Sequence, residues 1–243
     1  ASFCRLTGIR PGVRFGGVTR PPGTVERMAA TRTGRPRASG LSPTGLGTRA
    51  DALAAAAALF GTRGYASAST HAIAEAAGIR QATLYHHFAR KQDILLALLL
   101  DTVQPSLDVA AQLLARDEDP AARLWALCVS DVTLLAEAPH NTGALYLLPE
   151  VSDAAFEPFR ERRSELETTY RTLVAACGVA AAAAGASLVL ALVESVILQR
   201  KGGEATPLDA ETIAAAALRV LDLDAATRER ATALGPGVLS ALG

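Results

Sequence analysis

The chain has 243 residues, 50% of them apolar, 20% charged and only 5% aromatic, with three cysteines and a formal net charge of zero. That length holds one sizeable domain, or a small domain joined to a larger one, and the apolar share is enough to bury a core. Cys4, Cys128 and Cys177 are widely spaced and match no metal-ligand pattern, which argues against a disulfide framework and fits a reducing cytoplasm.

The zero net charge hides an asymmetry. Residues 1–91 carry 13 Lys or Arg against 3 Asp or Glu, whereas residues 92–243 carry 11 against 21. A polyanionic partner is expected for the first part and none for the second. The alanine and leucine bias favours an all-helical architecture. The longest apolar stretch, 180–198, is interrupted by Gly185, Ser187, Glu194 and Ser195, so it reads as a buried helix and no membrane partner is expected.

Residues 1–47 are rich in Arg, Gly and Pro and lack helical periodicity, which predicts a disordered basic arm. Within it, 1–27 precede the only methionine, Met28, and read as an extension upstream of a natural start or, less simply, a transit peptide. Arg32 and Gly34-Arg35-Pro36-Arg37 have the composition of a minor-groove grip; a solvated basic tail drawn to phosphates is the simpler reading.

Order is expected from Thr48, where Thr48-Arg49-Ala50-Asp51 has the form of a capping box. Leu53, Ala56, Ala57 and Phe60 then recur at helical spacing up to Gly61 and Gly64. A second N-cap lies in Ser67-Ala68-Ser69-Thr70, ahead of Ile73, Ala74 and Ala77 on one face. Gly78 stands where a helix must stop and reverse. A third helix is expected over about 80–88 and a fourth from Lys91. Prolines then punctuate helical segments at 106–116, 120–136, 142–148, 153–177, 182–201 and 208–222.

Two short helices joined by Ala77-Gly78-Ile79 make a helix-turn-helix, a unit whose second helix enters the DNA major groove N-terminus first. Arg80, Gln81 and Thr83 would face base edges: Arg suits guanine, Gln suits adenine, and the Thr methyl suits thymine. Tyr85 and His86 would reach flanking phosphates, as would Thr70 and Lys91, each in the first turn of its helix. Arg49 is counted with them. His86 and His87 are adjacent, so on a helix they diverge by about 100° and make a poor metal pair. No metal or cofactor site is expected, and the His87 ring is expected to pack partly buried.

Over 48–99 the chain resembles the N-terminal domain of TetR-family transcriptional regulators. The likeness rests on Leu59-Phe60, Gly64-Tyr65, Thr70, Ile73-Ala74, Ala77-Gly78-Ile79, Thr83-Leu84-Tyr85-His86-His87-Phe88 and Lys91 in order and spacing. The resemblance implies an all-α protein with an N-terminal three-helix DNA-binding domain at 48–92. A larger helical ligand-binding and dimerisation domain would occupy 93–243. It further implies a cytoplasmic homodimer on a palindromic double-stranded DNA operator, usually a repressor released by a small molecule. Carried over by position, Thr70, Tyr85, His86 and Lys91 would hold phosphates, and Arg80, Gln81, Ala82 and Thr83 would read bases. Many members have Ser-Lys-Gly where this chain has Arg80-Gln81-Ala82, so its operator cannot be borrowed from relatives.

In the second domain an apolar pocket with a few polar groups would take a small apolar or amphipathic ligand. Trp125, Cys128, Tyr146, Phe159, Tyr170 and Glu194 are the candidates, against plain core packing. His140-Asn141-Thr142 stands either at a pocket mouth or at a helix start. Leu188, Leu192, Ser195, Ile213, Ala217 and Val220 recur at helical spacing and suit either an internal bundle or a four-helix dimer interface. The resemblance favours the dimer. Two other functions stay open: a regulator answering to a protein partner or to no ligand, and an enzyme using Cys128 or Cys177 with His140 or Glu150.

Overall fold

The computed structural model describes residues 42–202 and 209–242. The motif at Arg32 to Arg37, Met28, Cys4 and Pro207 lie outside the described residues. Among the described residues nine α-helices follow in order: α1 Thr48–Arg63, α2 Thr70–Ala76, α3 Gln81–His87, α4 Lys91–Leu114, α5 Pro120–Glu137, α6 Glu157–Ala176, α7 Ala182–Gly202, α8 Ala210–Val220 and α9 Ala225–Ser240. Three short 3-10 turns, Thr142–Leu147, Pro149–Ser152 and Ala154–Phe156, bridge α5 and α6. Among the described residues there is no strand, as the composition leads one to expect.

The start of α1 differs from the capping box expected at Thr48. Gly47 is the N-cap, and the Asp51 carboxylate is buried, accepting hydrogen bonds from Ser42 Oγ, Thr44 N and Thr44 Oγ1 at 2.6 to 3.0 Å. Residues 42–47, expected within the arm, are therefore folded onto α1. Leu53, Ala56, Ala57 and Phe60 face the core, as their spacing predicts. Ser69 Oγ accepts from Ala72 N at 3.1 Å and starts α2.

Helix α2 ends in a Schellman closure. Ile79 N donates to Ala74 O and Gly78 N to Glu75 O, both at 3.0 Å, with Gly78 at φ 65°, where a side chain would be strained. That turn sets α3 across α2, and Leu84 and Phe88 tie α3 to the core.

Helix α4 continues through Pro105, which the sequence pattern marks as a break. The proline lies on the exposed face, so the carbonyl it leaves unpaired has access to water. The domain boundary expected between residues 92 and 93 thus falls two residues inside a continuous helix.

Helix α5 is the centre of the larger half. Its residues 121, 122, 124–129, 131 and 132 are all buried, and α4, α6, α7, α8 and α9 pack around it. Asp119 caps its N-terminus, accepting from Ala121 N and Ala122 N at 2.9 and 3.1 Å, and also receives Arg230 of α9 at 2.8 Å. The segment expected as a helix over 142–148 is 3-10, and α6 begins at 157 rather than 153, with Pro158 in its first turn.

Helix α9 has no counterpart among the expected segments. The signal for it was Asp224, whose side chain accepts from Thr227 N at 2.9 Å; the run Gly235-Pro236-Gly237 reads instead as a breaker. Gly235 has a packing reason: a Cβ there would lie 2.2 Å from Trp125 Cε3. The backbone of α9 rests on the indole face.

Within the single chain, helix α7 is only partly buried. By length and composition both α4 and α7 resemble membrane spans, but half of the α4 window is buried, against only a third of the α7 window. Leu188 and Leu198 on α7 are 53% and 60% exposed.

Gly235→Ala is expected to lower stability by about 1–3 kcal/mol through overpacking on a ring that cannot rotate away, outweighing about 1 kcal/mol of helix propensity. Gly237→Ala, with nothing within 4 Å, is expected to be neutral or stabilising. Thermal unfolding of both variants checks this.

Candidate functional site

The exposed edge of α2 and α3 carries a small polar network. Thr70 Oγ1, in the first turn of α2, lies 3.1 Å from Tyr85 Oη on α3. Gln81 Nε2 donates to both oxygens at 3.4 Å. The three side chains brace one another across the helix-turn-helix, which limits the conformations Tyr85 and Gln81 present outward. Tyr85 stays 46% exposed, and Arg80, Ala82 and His86 are exposed around it, with Thr83 partly covered. Arg80 occupies the N-cap of α3 without a side-chain cap bond, so its guanidinium projects at the helix tip.

Lys91 is held more firmly than expected. Its ammonium donates to Tyr65 O at 2.9 Å and Ala66 O at 3.2 Å and sits 4.3 Å above the Tyr65 ring. It therefore pins the loop after α1 to the start of α4. Asp93 accepts from Arg90 N at 2.8 Å and closes the first turn of α4. Arg49 is exposed and stacks over Phe88 at 5.4 Å. His87, expected partly buried, is exposed beside His86, the rings 5.5 Å apart and edge to face. Among the described residues no three His, Cys, Asp or Glu side chains are grouped to hold a metal ion.

The candidates of the second domain separate into several places. Tyr146 and Glu194 line a small void of about 20 Å³ together with Thr102, Ser106, Asp131 and Arg163. Tyr146 Oη donates to Thr102 Oγ1 at 2.6 Å, and Arg163 pairs with Glu194 at 2.5 Å while lying 5.0 Å over the Tyr146 ring. Phe159 supports that ring from 5.2 Å. Tyr170 is buried and donates to Asp131 Oδ2 at 2.7 Å. Trp125 faces Gly235 and α9, and its indole N–H has no hydrogen-bond acceptor among the described residues. Cys128 is fully buried and its thiol is pushed well up, first by desolvation and then by Asp131.

Asp131 is the residue sequence reasoning missed. Its signal was a lone acid inside the apolar run 124–135. It is 3% exposed, and among the described residues its Oδ1 has no hydrogen-bond partner. Burial pushes its carboxyl up to about 6, tempered by the Tyr170 and Ser106 hydroxyls; Ser106 lies near without forming a well-shaped bond to Oδ1.

A wider groove of about 420 Å³ lies on the other side of Thr102 and Leu135, walled by Leu98, Pro105 and Leu134, with Asp101 and Glu137 among its charged groups. Thr142 borders it, whereas Asn141 Nδ2 donates to Ile197 O at 2.9 Å and ties the 3-10 turn to α7.

The dimer candidates face two ways. Leu188 and Val220 are exposed and Leu192 and Ser195 partly so, but Ile213 and Ala217 are buried within the chain. The inward stripe of α8 serves α5, so those two residues are unavailable to a second copy, a correction to the expected face.

Because the Asp131 carboxyl is raised in the folded state, it binds its proton before the unfolded chain does as pH falls. Its contribution favours folding below about pH 4 and is lost as pH rises through about 6. Asp131→Asn, which can still accept from Tyr170, is expected to stabilise the protein at pH 7 by up to about 3 kcal/mol. That gain should shrink towards pH 4, as read by unfolding midpoints across the range.

Comparison with known proteins agrees with this geometry. Residues 52–98 match the family model described as bacterial regulatory proteins, tetR family. A crystal structure of Mycobacterium smegmatis AmtR is 44% identical, with 84% of this chain and 98% of that one covered at a TM-score of 0.70. The HTH-type transcriptional repressor KstR2 of Rhodococcus jostii (strain RHA1) is 32% identical over 127 residues, 52% of this chain. The chain spans 61% of the length of that curated relative. The TetR family transcriptional regulator PfmR of Thermus thermophilus shares the fold at 24% identity and a TM-score of 0.61, covering 70% of this chain and 97% of its own. By its helix-turn-helix and by these likenesses, the chain belongs to the TetR family of bacterial regulatory proteins.

Proposed function

We propose that this protein is a sequence-specific DNA-binding transcriptional regulator, acting as a repressor that a small molecule releases from its operator. The observation that carries the reading is the α2–α3 edge. A short helix presents Arg80, Gln81, Ala82 and Thr83 at its tip and Tyr85 and His86 one turn on, braced to Thr70. That arrangement suits a groove: base edges at the tip and phosphates alongside. Lys91 and Arg49 add positive charge nearby, Lys91 chiefly by fixing the loop that orients α2. KstR2 is described as a repressor, which supports the same reading here.

The DNA-reading unit is assigned to 48–92 and the regulatory unit to the rest, with α4 shared between them. Exposed apolar side chains at Leu188 and Leu198 of α7 and Val220 of α8 support a homodimer, which would read a palindromic operator. Release needs a ligand that binds one conformation better than another. The polar void and its adjoining groove favour a small-molecule ligand over a partner-only regulator. Enzymatic use of Cys128 is disfavoured, because a buried thiol whose pKa is raised is a poor nucleophile.

Binding to the DNA upstream of its own gene, measured over a range of salt, tests the regulator. Tight, footprinted binding to a palindrome is expected; a folded protein with no binding at any salt overturns it. Tyr85→Ala should weaken binding to all sequences alike while leaving the salt slope nearly unchanged, because no cation is lost. Arg80→Ala should cost about 1–3 kcal/mol and relax preference at one operator position.

A further inference from the structure

The void and the groove beside it share a wall, and together they describe a ligand. Thr102 and Leu135 line both spaces. The groove has a volume within the usual range for small-molecule sites, with apolar walls at Leu98, Pro105 and Leu134. The void holds about one water-sized group, and an ammonium head is of that size. Four acids line the two spaces, Asp101, Glu137, Asp131 and Glu194, against one base, Arg163, which is already paired to Glu194.

From this geometry we infer that the cavity binds a linear primary amine in its cationic form, the ammonium against Asp131 Oδ1 and the alkyl tail in the groove between α4 and α5. The inference deepens the ligand-release reading and rests on it for its regulatory meaning. Oδ1 is a buried carboxylate oxygen with no partner among the described residues, and a buried acceptor left unmade is costly. An ammonium supplies both the missing donor and the missing counter-charge. A carboxylate or phosphate in the same place would meet Asp131 without compensation, because the Arg163 guanidinium is already bound to Glu194. The raised Asp131 carboxyl is what a buried acid lacking its counter-ion should show.

Entry requires Thr102 and Leu135 to part, which strains the Tyr146–Thr102 hydrogen bond. Tyr146 belongs to the 3-10 turn Thr142–Leu147, and that turn packs against both α1 and α4. The ligand therefore pushes on the element that abuts the helix-turn-helix.

The test uses the full chain without DNA and three eight-carbon probes: n-octylammonium, octanoate and 1-octanol. Calorimetric titration at pH 7 should give octylammonium at least tenfold tighter binding than either other probe. Asp131→Asn should remove that preference while leaving octanol binding within a few-fold. Leu134→Lys, on an exposed wall of the groove, should weaken octylammonium at least threefold more than it weakens octanol, which loses only the apolar contact. Octanoate binding as tightly as octylammonium, an unchanged preference in the folded Asp131→Asn variant, or no binding by any probe would each overturn the inference. Operator binding is measured separately, so failure there strikes the regulatory reading alone.

Discussion

Helix α4 constrains everything else in the molecule. Its 24 residues span about 36 Å without a break, at 1.5 Å per residue. One end is fastened to the helix-turn-helix by Lys91, which bridges to the Tyr65 and Ala66 carbonyls, and by Ile94 and Leu95 in the small core. Two turns further on, Thr102 and Ser106 line the small void. Pro105 removes one bond from its ladder, yet the helix runs on through it, so a displacement at the void would be carried to the other end as a tilt or a shift rather than taken up by a loop. The two halves are thus mechanically joined, with no linker to absorb the motion.

Around α5 the accounting of polar groups differs from that of an ordinary apolar core. Side chains such as Leu124, Leu127 and Val132 are enclosed on every side, yet Asp131 sits among them with one oxygen unmatched. Replacing such an acid by an apolar side chain is often neutral or stabilising, so its presence is a cost to folding rather than a support for it. Charges at the N-terminal end of α5 behave differently. Asp119 satisfies the N-terminal amides and receives Arg230, while Arg123 returns hydrogen bonds to the carbonyls of Leu113 and Arg116 that end α4. Stability is drawn from the caps and not from the interior acid.

Local signals made the first three helices legible. The Ala77-Gly78-Ile79 turn demands one backbone geometry, and the apolar spacing of α1 admits one buried face. Farther along, the sequence misleads where packing overrides local preference. Pro105 and Pro236 lie inside helices because each is exposed and the surrounding contacts hold the helix together across the missing bond. Glycine at 235 reads as a terminator, whereas it is there because the Trp125 ring occupies the space of a side chain. Aromatic and sulfur-bearing residues drew attention to Trp125 and Cys128 as ligand contacts, but both are enclosed away from the void's lining. The polar ring of Thr102, Ser106, Asp131 and Arg163 comes from α4, α5 and α6. No spacing rule within one helix announces such a convergence.

The seat of Trp125 has a spectroscopic consequence. It is the chain's single tryptophan, 1% exposed, with its ring face against α9 and its N–H unmatched in an apolar setting. Intrinsic indole emission from this protein therefore originates at one place, the seam between α5 and α9, and should be blue-shifted while that seam is dry. Separation of α9 alone would redden the emission without any loss of helix, so fluorescence and circular dichroism can diverge. The C-terminal helix thus carries its own optical signal, distinct from that of global unfolding.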